Sequence, residues 1–139
     1  MIVADTNVVS EFMKDSPDPM VLAWAEGIRP ADLTICVVTV MEIERGLGLI
    51  PDGRRRGDLE LRWGQLLVAF GDAIIPYDVP AARRAAAVLV ASQARGRQMS
   101  LADAQIAGIC LTRGHTLATR NIKDFEPSAD LEIVNPFRT

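Results

Sequence analysis

The chain has 139 residues, with 15 basic and 18 acidic side chains, a formal net charge of −3 and an apolar fraction of 49%. This length suits one domain, residues 1–139, with a substantial core, and the ordinary balance of apolar and charged residues excludes intrinsic disorder. No run approaches the roughly 18 apolar residues that span a membrane, and the amino terminus lacks the pattern of a secretion signal. We therefore expect a cytoplasmic protein without membrane contact.

Short apolar segments rich in β-branched residues predict five strands, at 1–4, 33–38, 73–76, 116–119 and 131–134. Between them, apolar residues recur with helical spacing, which predicts helices. The three clearest stripes are Val21, Trp24, Ala25 and Ile28; Leu59, Trp63, Leu66, Leu67 and Phe70; and Ala85, Val88, Leu89 and Ser92. Strands that alternate with helices are typical of βαβ units, so the predicted fold class is α/β, with a mainly parallel sheet covered by helices on both faces.

Four carboxylates stand where predicted strands give way to helices. Asp5 directly follows the first strand, Glu42 and Asp103 begin helical stretches, and Asp124 comes just after the strand at 116–119. Ligands of parallel sheets bind at the carboxyl ends of the strands. If these strands are neighbours, the four side chains converge on one edge of the sheet.

Three of these acids also have a purely structural interpretation. The pairs Thr39 with Glu42, Ser100 with Asp103 and Asn121 with Asp124 have the spacing of a helix N-cap and the third helical residue. An acid in a first helical turn is favoured by the helix dipole as well. Asp5 is different, because a charge directly after a buried strand is costly unless it is paired or coordinated.

Four converging carboxylates repel one another unless a cation lies among them. Oxygen ligands suit Mg²⁺ or Mn²⁺, which can lower the pKa of a bound water and neutralise charge on a phosphodiester during its hydrolysis. The sequence therefore predicts a metal-dependent site for phosphodiester chemistry in which a metal-activated water attacks.

At these residues the chain resembles the PIN-domain family, and within it the VapC-type ribonuclease toxins of its FitB-like branch. The resemblance extends over the whole chain. It rests on the matching segments Asp5-Thr6-Asn7-Val8-Val9-Ser10, Thr39-Val40-Met41-Glu42-Ile43, Ser100-Leu101-Ala102-Asp103-Ala104-Gln105-Ile106-Ala107, Leu117-Ala118-Thr119-Arg120-Asn121-Ile122-Lys123-Asp124-Phe125 and Val134-Asn135-Pro136-Phe137.

The resemblance implies a three-layer α/β/α sandwich and assigns roles to particular residues. The principal acidic metal-site residues of the family match Asp5, Glu42 and Asp103. A fourth, more variable acid matches Asp124, although some relatives place an acid at the position of Asn121. Polar residues lining the same pocket match Thr6 and Thr119. The family also implies a homodimer and a small antitoxin that occupies the active-site groove, with higher-order assembly of the two.

Clustered arginines are candidates for contacts with RNA phosphates. The clusters are Arg54, Arg55 and Arg56 in a glycine-flanked loop, Arg83 with Arg84, and Arg95 with Arg97. The chain has 13 arginines and 2 lysines, and the forked guanidinium matches phosphate geometry. The alternative is that these residues are solvated helix ends.

The resulting hypothesis is the toxin component of a type II toxin–antitoxin system, a Mg²⁺- or Mn²⁺-dependent endoribonuclease. Asp5, Glu42, Asp103 and Asp124 are its expected catalytic and metal-binding residues. Thr6, Thr119, Asn121 and the arginines at 54–56 and 83–84 are its expected substrate contacts. Two alternatives stay open: a catalytically silent PIN-fold binding module in a repressor complex, and a receiver-like phospho-acceptor domain.

Overall fold

Four parallel strands form the central sheet of the computed structural model, which describes residues 1–126, 128 and 130–138. The strands are β1 (Ile2–Ala4), β2 (Leu33–Thr34), β3 (Thr116–Ala118) and β4 (Ile133–Val134), in the order β2-β1-β3-β4. The two central strands pair with Ala4 opposite Ala118. The residues that directly follow them therefore lie side by side at the carboxyl end of the sheet.

Six α-helices connect and cover the strands of the described chain. They are α1 (Thr6–Phe12), α2 (Pro19–Glu26), α3 (Val37–Gly48), α4 (Arg54–Phe70), α5 (Val79–Ala94) and α6 (Leu101–Arg113). Short 3₁₀ turns lie at Pro30–Asp32, Gly71–Ala73 and Ile122–Phe125. No helix among the described residues is both long and apolar enough to cross a membrane.

The two faces of the sheet bury separate hydrophobic clusters. Val3 and Leu117 pack with apolar residues of α5 and α6, whereas Ala4 and Ala118 pack with residues of α1, α2, α3 and α4. This follows from the strand geometry, since successive side chains point to opposite faces. The arrangement confirms the predicted α/β class and the three-layer sandwich with a parallel central sheet.

One predicted strand does not form in the described chain, and the strands predicted at 33–38 and 131–134 are shorter than expected. The segment at 73–76 is not a strand, because only Ile75 pairs, in a single parallel bridge with Cys36. A 3₁₀ turn precedes Ile75, and Pro76 follows it and has no N–H to extend the ladder. The predicted strand at 33–38 likewise ends at Thr34, apart from that bridge.

The third helix begins at Val37, two residues before the predicted N-cap Thr39. Cys36 occupies the N-cap position, in extended conformation and without a side-chain capping bond. The predicted capping box of Thr39 and Glu42 is therefore wrong, and Glu42 lies in the second turn of α3. The predicted cap of α6 is confirmed, since the Ser100 hydroxyl accepts the Asp103 N–H at 3.1 Å.

Candidate active site

Asp5 is a buried carboxylate at the end of β1, with 4% of its surface exposed. It is the N-cap of α1, and its Oδ1 accepts the N–H of Thr6 at 2.8 Å. Its Oδ2 accepts the hydroxyl of Thr119 at 2.7 Å and the amide of Asn7 at 3.2 Å. Burial raises the pKa of Asp5, an effect increased by the charge of Glu42 and opposed by these three hydrogen bonds.

Thr6 connects Asp5 to Glu42 across two helices. While its N–H binds Asp5, its hydroxyl donates to Oε1 of Glu42 at 2.6 Å. Glu42 reaches this position from the second turn of α3, and not from a helix N-terminus. The family resemblance predicts that Thr6 and Thr119 line the site. In the structure, the hydroxyl of Thr6 donates to Glu42 and that of Thr119 donates to Asp5.

Asp103 enters the same region from the first turn of α6 and is half-buried. Its pKa is raised to about 6, first by burial and then by the negative charges of Asp5, Asp124 and Glu42. The negative charge of three other acids acts on this carboxyl group, and no cation is among the causes of its pKa shift. The structure therefore brings the four predicted acids, from four different parts of the chain, into one electrostatic cluster.

Asp124 and Asn121 flank the cluster on the 3₁₀ turn after β3, and both are exposed. The charge of Asp124 acts on Asp103. Asn121 contributes its backbone N–H, which donates to the hydroxyl of Thr119 at 3.0 Å. Of these two candidate positions, Asp124 is the one that is electrostatically coupled to the acidic cluster.

Asn7 is a central residue of the site that the sequence analysis did not single out. Its amide nitrogen donates to Asp5 and, at 3.3 Å, to the hydroxyl of Thr119. Its amide oxygen accepts the backbone N–H of Arg120 at 3.0 Å. Asn7 stands two residues after Asp5 at the start of α1, and that position in the sequence is the signal that could have identified it.

The acidic cluster fits a hard divalent cation by its charge and its donor atoms. None of the four acids forms an ion pair with a described Lys or Arg, and every donor is a carboxylate oxygen. Asp5 uses three of about four acceptor positions for its hydrogen bonds, which leaves one. Within the described chain no group of three such side chains is close enough together to hold an ion.

The predicted arginine contacts lie mostly on helices. Arg54, Arg55 and Arg56 form the first turn of α4, so the predicted loop is wrong. Arg54 and Arg55 are exposed, whereas Arg56 binds Asp52, Glu60 and the carbonyl of Ile50. Arg83 and Arg84 are exposed on α5. In the third cluster, Arg97 pairs with Glu126.

The apolar segments at 8–13 and 20–28, which suit either a core or a dimer face, are divided between the two. Val8, Val9, Met13 and Val21 are buried in the cluster of α1 to α4. Met20 and Leu22 remain partly exposed, at 37% and 39%. The first four residues therefore belong to the core, and the exposed side of α2 is available to contact a second subunit.

The fold and the site together define a class: an α/β protein with an acidic cluster at the carboxyl ends of parallel strands. The family model described as "PIN domain" matches residues 2–126. The chain is 37% identical to VapC ribonuclease Y4jK of Sinorhizobium fredii, over 99% of this chain and 98% of that protein. It is 32% identical to toxin FitB of Neisseria gonorrhoeae, over 99% of both chains.

A solved structure agrees with these sequence relationships. The crystal structure of FitAcB from Neisseria gonorrhoeae superimposes with a TM-score of 0.91 at 31% identity, and the match covers both chains completely. The chain therefore belongs to the PIN-domain family and, within it, to the group that contains VapC and FitB. This assignment replaces the receiver-like alternative.

Proposed function

We propose that the protein is the toxin of a type II toxin–antitoxin pair, an endoribonuclease that depends on Mg²⁺ or Mn²⁺ and acts in the cytoplasm, where it encounters RNA. The observation that carries the proposal is the electrostatic cluster of Asp5, Glu42, Asp103 and Asp124, in which neutral donors hold Asp5 and Glu42. Similarity to proteins named VapC ribonuclease and toxin FitB supports RNA as the substrate. The proposed partners are a small antitoxin that covers the pocket and a second copy of the chain.

In this mechanism the residues of the chain hold the carboxylates in place. A bound divalent cation would supply charge neutralisation at the phosphodiester and a more acidic water. Asn7 and Thr119 fix the orientation of Asp5, and Thr6 fixes Glu42 relative to Asp5. Because these partners are neutral, they order the acids without cancelling the negative charge that attracts a cation.

Cleavage of RNA by matched variants tests the proposal. Purified wild-type protein is incubated with total RNA and Mg²⁺ or Mn²⁺, with and without EDTA. Asp5→Asn, which keeps the shape of the side chain, is expected to lower the cleavage rate at least about a hundredfold, because it removes a charge from the centre of the cluster. EDTA is expected to have a similar effect.

Asp72→Asn is the control, because Asp72 lies before Ile75, on the amino-terminal side of the sheet and away from the pocket. It is expected to cleave at the wild-type rate. Cleavage that survives EDTA or Asp5→Asn would contradict a metal-dependent nuclease. Wild-type protein that binds the antitoxin but cleaves none of the RNA would favour the silent binding module.

A further inference from the structure

Arg120 is a cation beside the acidic pocket that has no role in the site described above. It directly follows Thr119, which binds Asp5, and its backbone N–H donates to the side chain of Asn7. Its guanidinium carbon lies 3.7 Å from the centre of the Phe137 ring. The backbone of Arg120 is therefore held by its hydrogen bond to Asn7, and its guanidinium is held by the ring of Phe137.

The aromatic surface under Arg120 is itself well ordered by local contacts. The N–H of Phe137 donates to Oδ1 of Asn135 at 3.0 Å, and its ring packs against the hydrophobic cluster of α1 to α4. Stacking on a ring occupies the face of a guanidinium and leaves the N–H groups at its edge available. Those groups match the oxygens of a phosphate.

The surface around Arg120 is basic. Arg120, Lys123 and Arg138 line an open depression of about 510 Å³, together with Asp124 and Glu126. Among the described residues, none of the three cations forms an ion pair.

The nearby acids do not cancel this charge. Glu126 is already paired with Arg97, and Asp124 belongs to the acidic cluster. The charge of Arg120 also acts on Glu11, but Glu11 is bound to Lys14 at 2.7 Å. The depression therefore places three cations that form no described ion pair beside the acidic cluster.

Cations beside an acidic cluster suit the binding of a polyanion that must approach that cluster. A phosphodiester chain is repelled by four carboxylates, so its neighbouring phosphates need a cation to hold it there. We propose that Arg120, stacked on Phe137, binds an RNA phosphate next to the one at the acidic cluster, with Lys123 and Arg138 contributing charge. The inference rests on the proposed endoribonuclease function and identifies where its substrate is held.

RNA binding without cleavage tests this role independently of catalysis. All variants are made in the Asp5→Asn protein, and the probe is a fluorescently labelled, mixed-sequence single-stranded RNA followed by anisotropy over a range of salt concentrations. Arg120→Ala is expected to raise Kd about tenfold. The slope of log Kd against log salt is expected to fall by about 0.7, as for the loss of one phosphate contact to a single strand.

Two further variants separate charge from stacking. Arg120→Lys keeps the charge but not the planar fork, so its Kd is expected to lie between those of Arg120 and Arg120→Ala, with the salt slope retained. Phe137→Leu keeps the packing but removes the ring, and is expected to raise Kd about two- to fivefold. Circular dichroism checks that each variant is folded. If Phe137→Leu is not folded, the proposal is decided by Arg120→Ala, because Arg120 is an exposed side chain.

Arg29→Ala is the control for an arginine far from the site, since Arg29 is exposed, pairs with Asp32 and lies before β2, on the amino-terminal side of the sheet. Its Kd is expected to be unchanged. Equal effects of Arg29→Ala and Arg120→Ala would overturn the proposal, as would the absence of salt-dependent RNA binding in the Asp5→Asn protein. If Arg120→Ala leaves RNA binding intact but weakens binding of poly-glutamate, the depression binds a protein carboxylate and the proposal is wrong.

The assay distinguishes this inference from the function on which it rests. Wild-type cleavage with unchanged RNA binding by Arg120→Ala would overturn the phosphate contact alone. Arg120-dependent binding without any wild-type cleavage would overturn the nuclease alone.

Discussion

At the scale of single residues, the pocket is organised by neutral donors. Thr6, Asn7 and Thr119 hold Asp5 and Glu42 in place, and no described Lys or Arg pairs with the cluster. This arrangement disfavours the ionised form of Asp103, because burial and the neighbouring acids raise its pKa to about 6. The metal-free protein is therefore less stable at neutral pH than its packing alone implies.

The pH dependence of stability follows from Asp103. Its folded pKa of about 6 lies above the reference value of 3.8, so between these values the folded state holds a proton that the unfolded state has released. The contribution of Asp103 to stability is therefore complete below about pH 4 and is lost as pH rises through 6. In EDTA, Asp103→Asn is expected to raise the melting temperature near pH 7.5 and to change it little near pH 4.

Asp72→Asn provides the control for this pH comparison, because Asp72 lies outside the cluster. Its melting temperature is expected to follow the wild type at both pH values. An Asp103→Asn variant that is stabilised equally at low and neutral pH would show that packing, and not ionisation, accounts for the difference.

The roles of Asp124 and Asn121 can be separated in the same way. Asp124 raises the pKa of Asp103 through its charge, whereas Asn121 supplies a backbone N–H that survives substitution. Asp124→Asn is therefore expected to lower the pKa of Asp103 in a carboxyl titration by NMR and to slow RNA cleavage. Asn121→Ala is expected to leave that pKa unchanged. An Asp103 pKa that does not change in Asp124→Asn would show that Asp124 lies outside the acidic cluster.

At the scale of elements, α5 and α6 form the most extensive helix contact in the described chain. Gly108 of α6 faces α5 so closely that an added Cβ would lie 2.4 Å from the carbonyl oxygen of Ala81 and 2.9 Å from the N–H nitrogen of Ala85. Backbone atoms cannot move aside as a flexible side chain can. Because α6 carries Asp103, this contact also fixes one wall of the pocket.

Gly108→Ala is expected to destabilise the protein by about 1–3 kcal/mol, because the new methyl group forces α5 and α6 apart. Gly64→Ala is the matched control: Gly64 lies inside α4, and its added Cβ has no neighbour within 4 Å. This change is expected to stabilise by about 0.5–1 kcal/mol through helix propensity. Urea denaturation measures both, and a Gly108→Ala protein as stable as the wild type would show that the helices can separate freely.

Sequence patterns were sufficient where the structure depends on local chemistry. The strand before Asp5 and the cap at Ser100 were predictable from β-branched residues and from an N-cap spacing. Glu42 was predicted as a site residue from its position after a strand, whereas the competing interpretation as part of a capping box is wrong, because pairing of Cys36 with Ile75 sets the start of α3. The roles of Asn7 and Arg120 depend on contacts with distant segments, which periodicity does not report.

At the scale of the whole molecule, the net charge of −3 is the sum of an acidic site and a remainder in which basic residues are in excess. Four of the 18 acids lie in the pocket, and the remaining 14 are outnumbered by the 15 basic residues. The pocket and the basic depression lined by Arg120 are adjacent, so the overall charge describes neither of them. A divalent cation at the acidic cluster would relieve the repulsion among these four acids.

Cation binding should therefore be visible as stability. At a free concentration about a hundredfold above its Kd, Mn²⁺ or Mg²⁺ is expected to stabilise the wild type by about 2.7 kcal/mol. Below about pH 6 the shift in melting temperature should shrink, because the cation must displace the proton of Asp103. Asp5→Asn should abolish the shift and Asp72→Asn should retain it. A shift of equal size in all three proteins would place the bound cation elsewhere.

The pairing of β1 with β3 has a consequence for synthesis on the ribosome. The first strand of the chain lies in the centre of the sheet, and Asp5 bonds to Thr119 across a separation of 114 residues. Because translation proceeds from the amino terminus, β1 can pair with β3 only after most of the residues between them have emerged. We therefore expect a nascent chain to lack the assembled acidic cluster until Thr119 has left the exit tunnel.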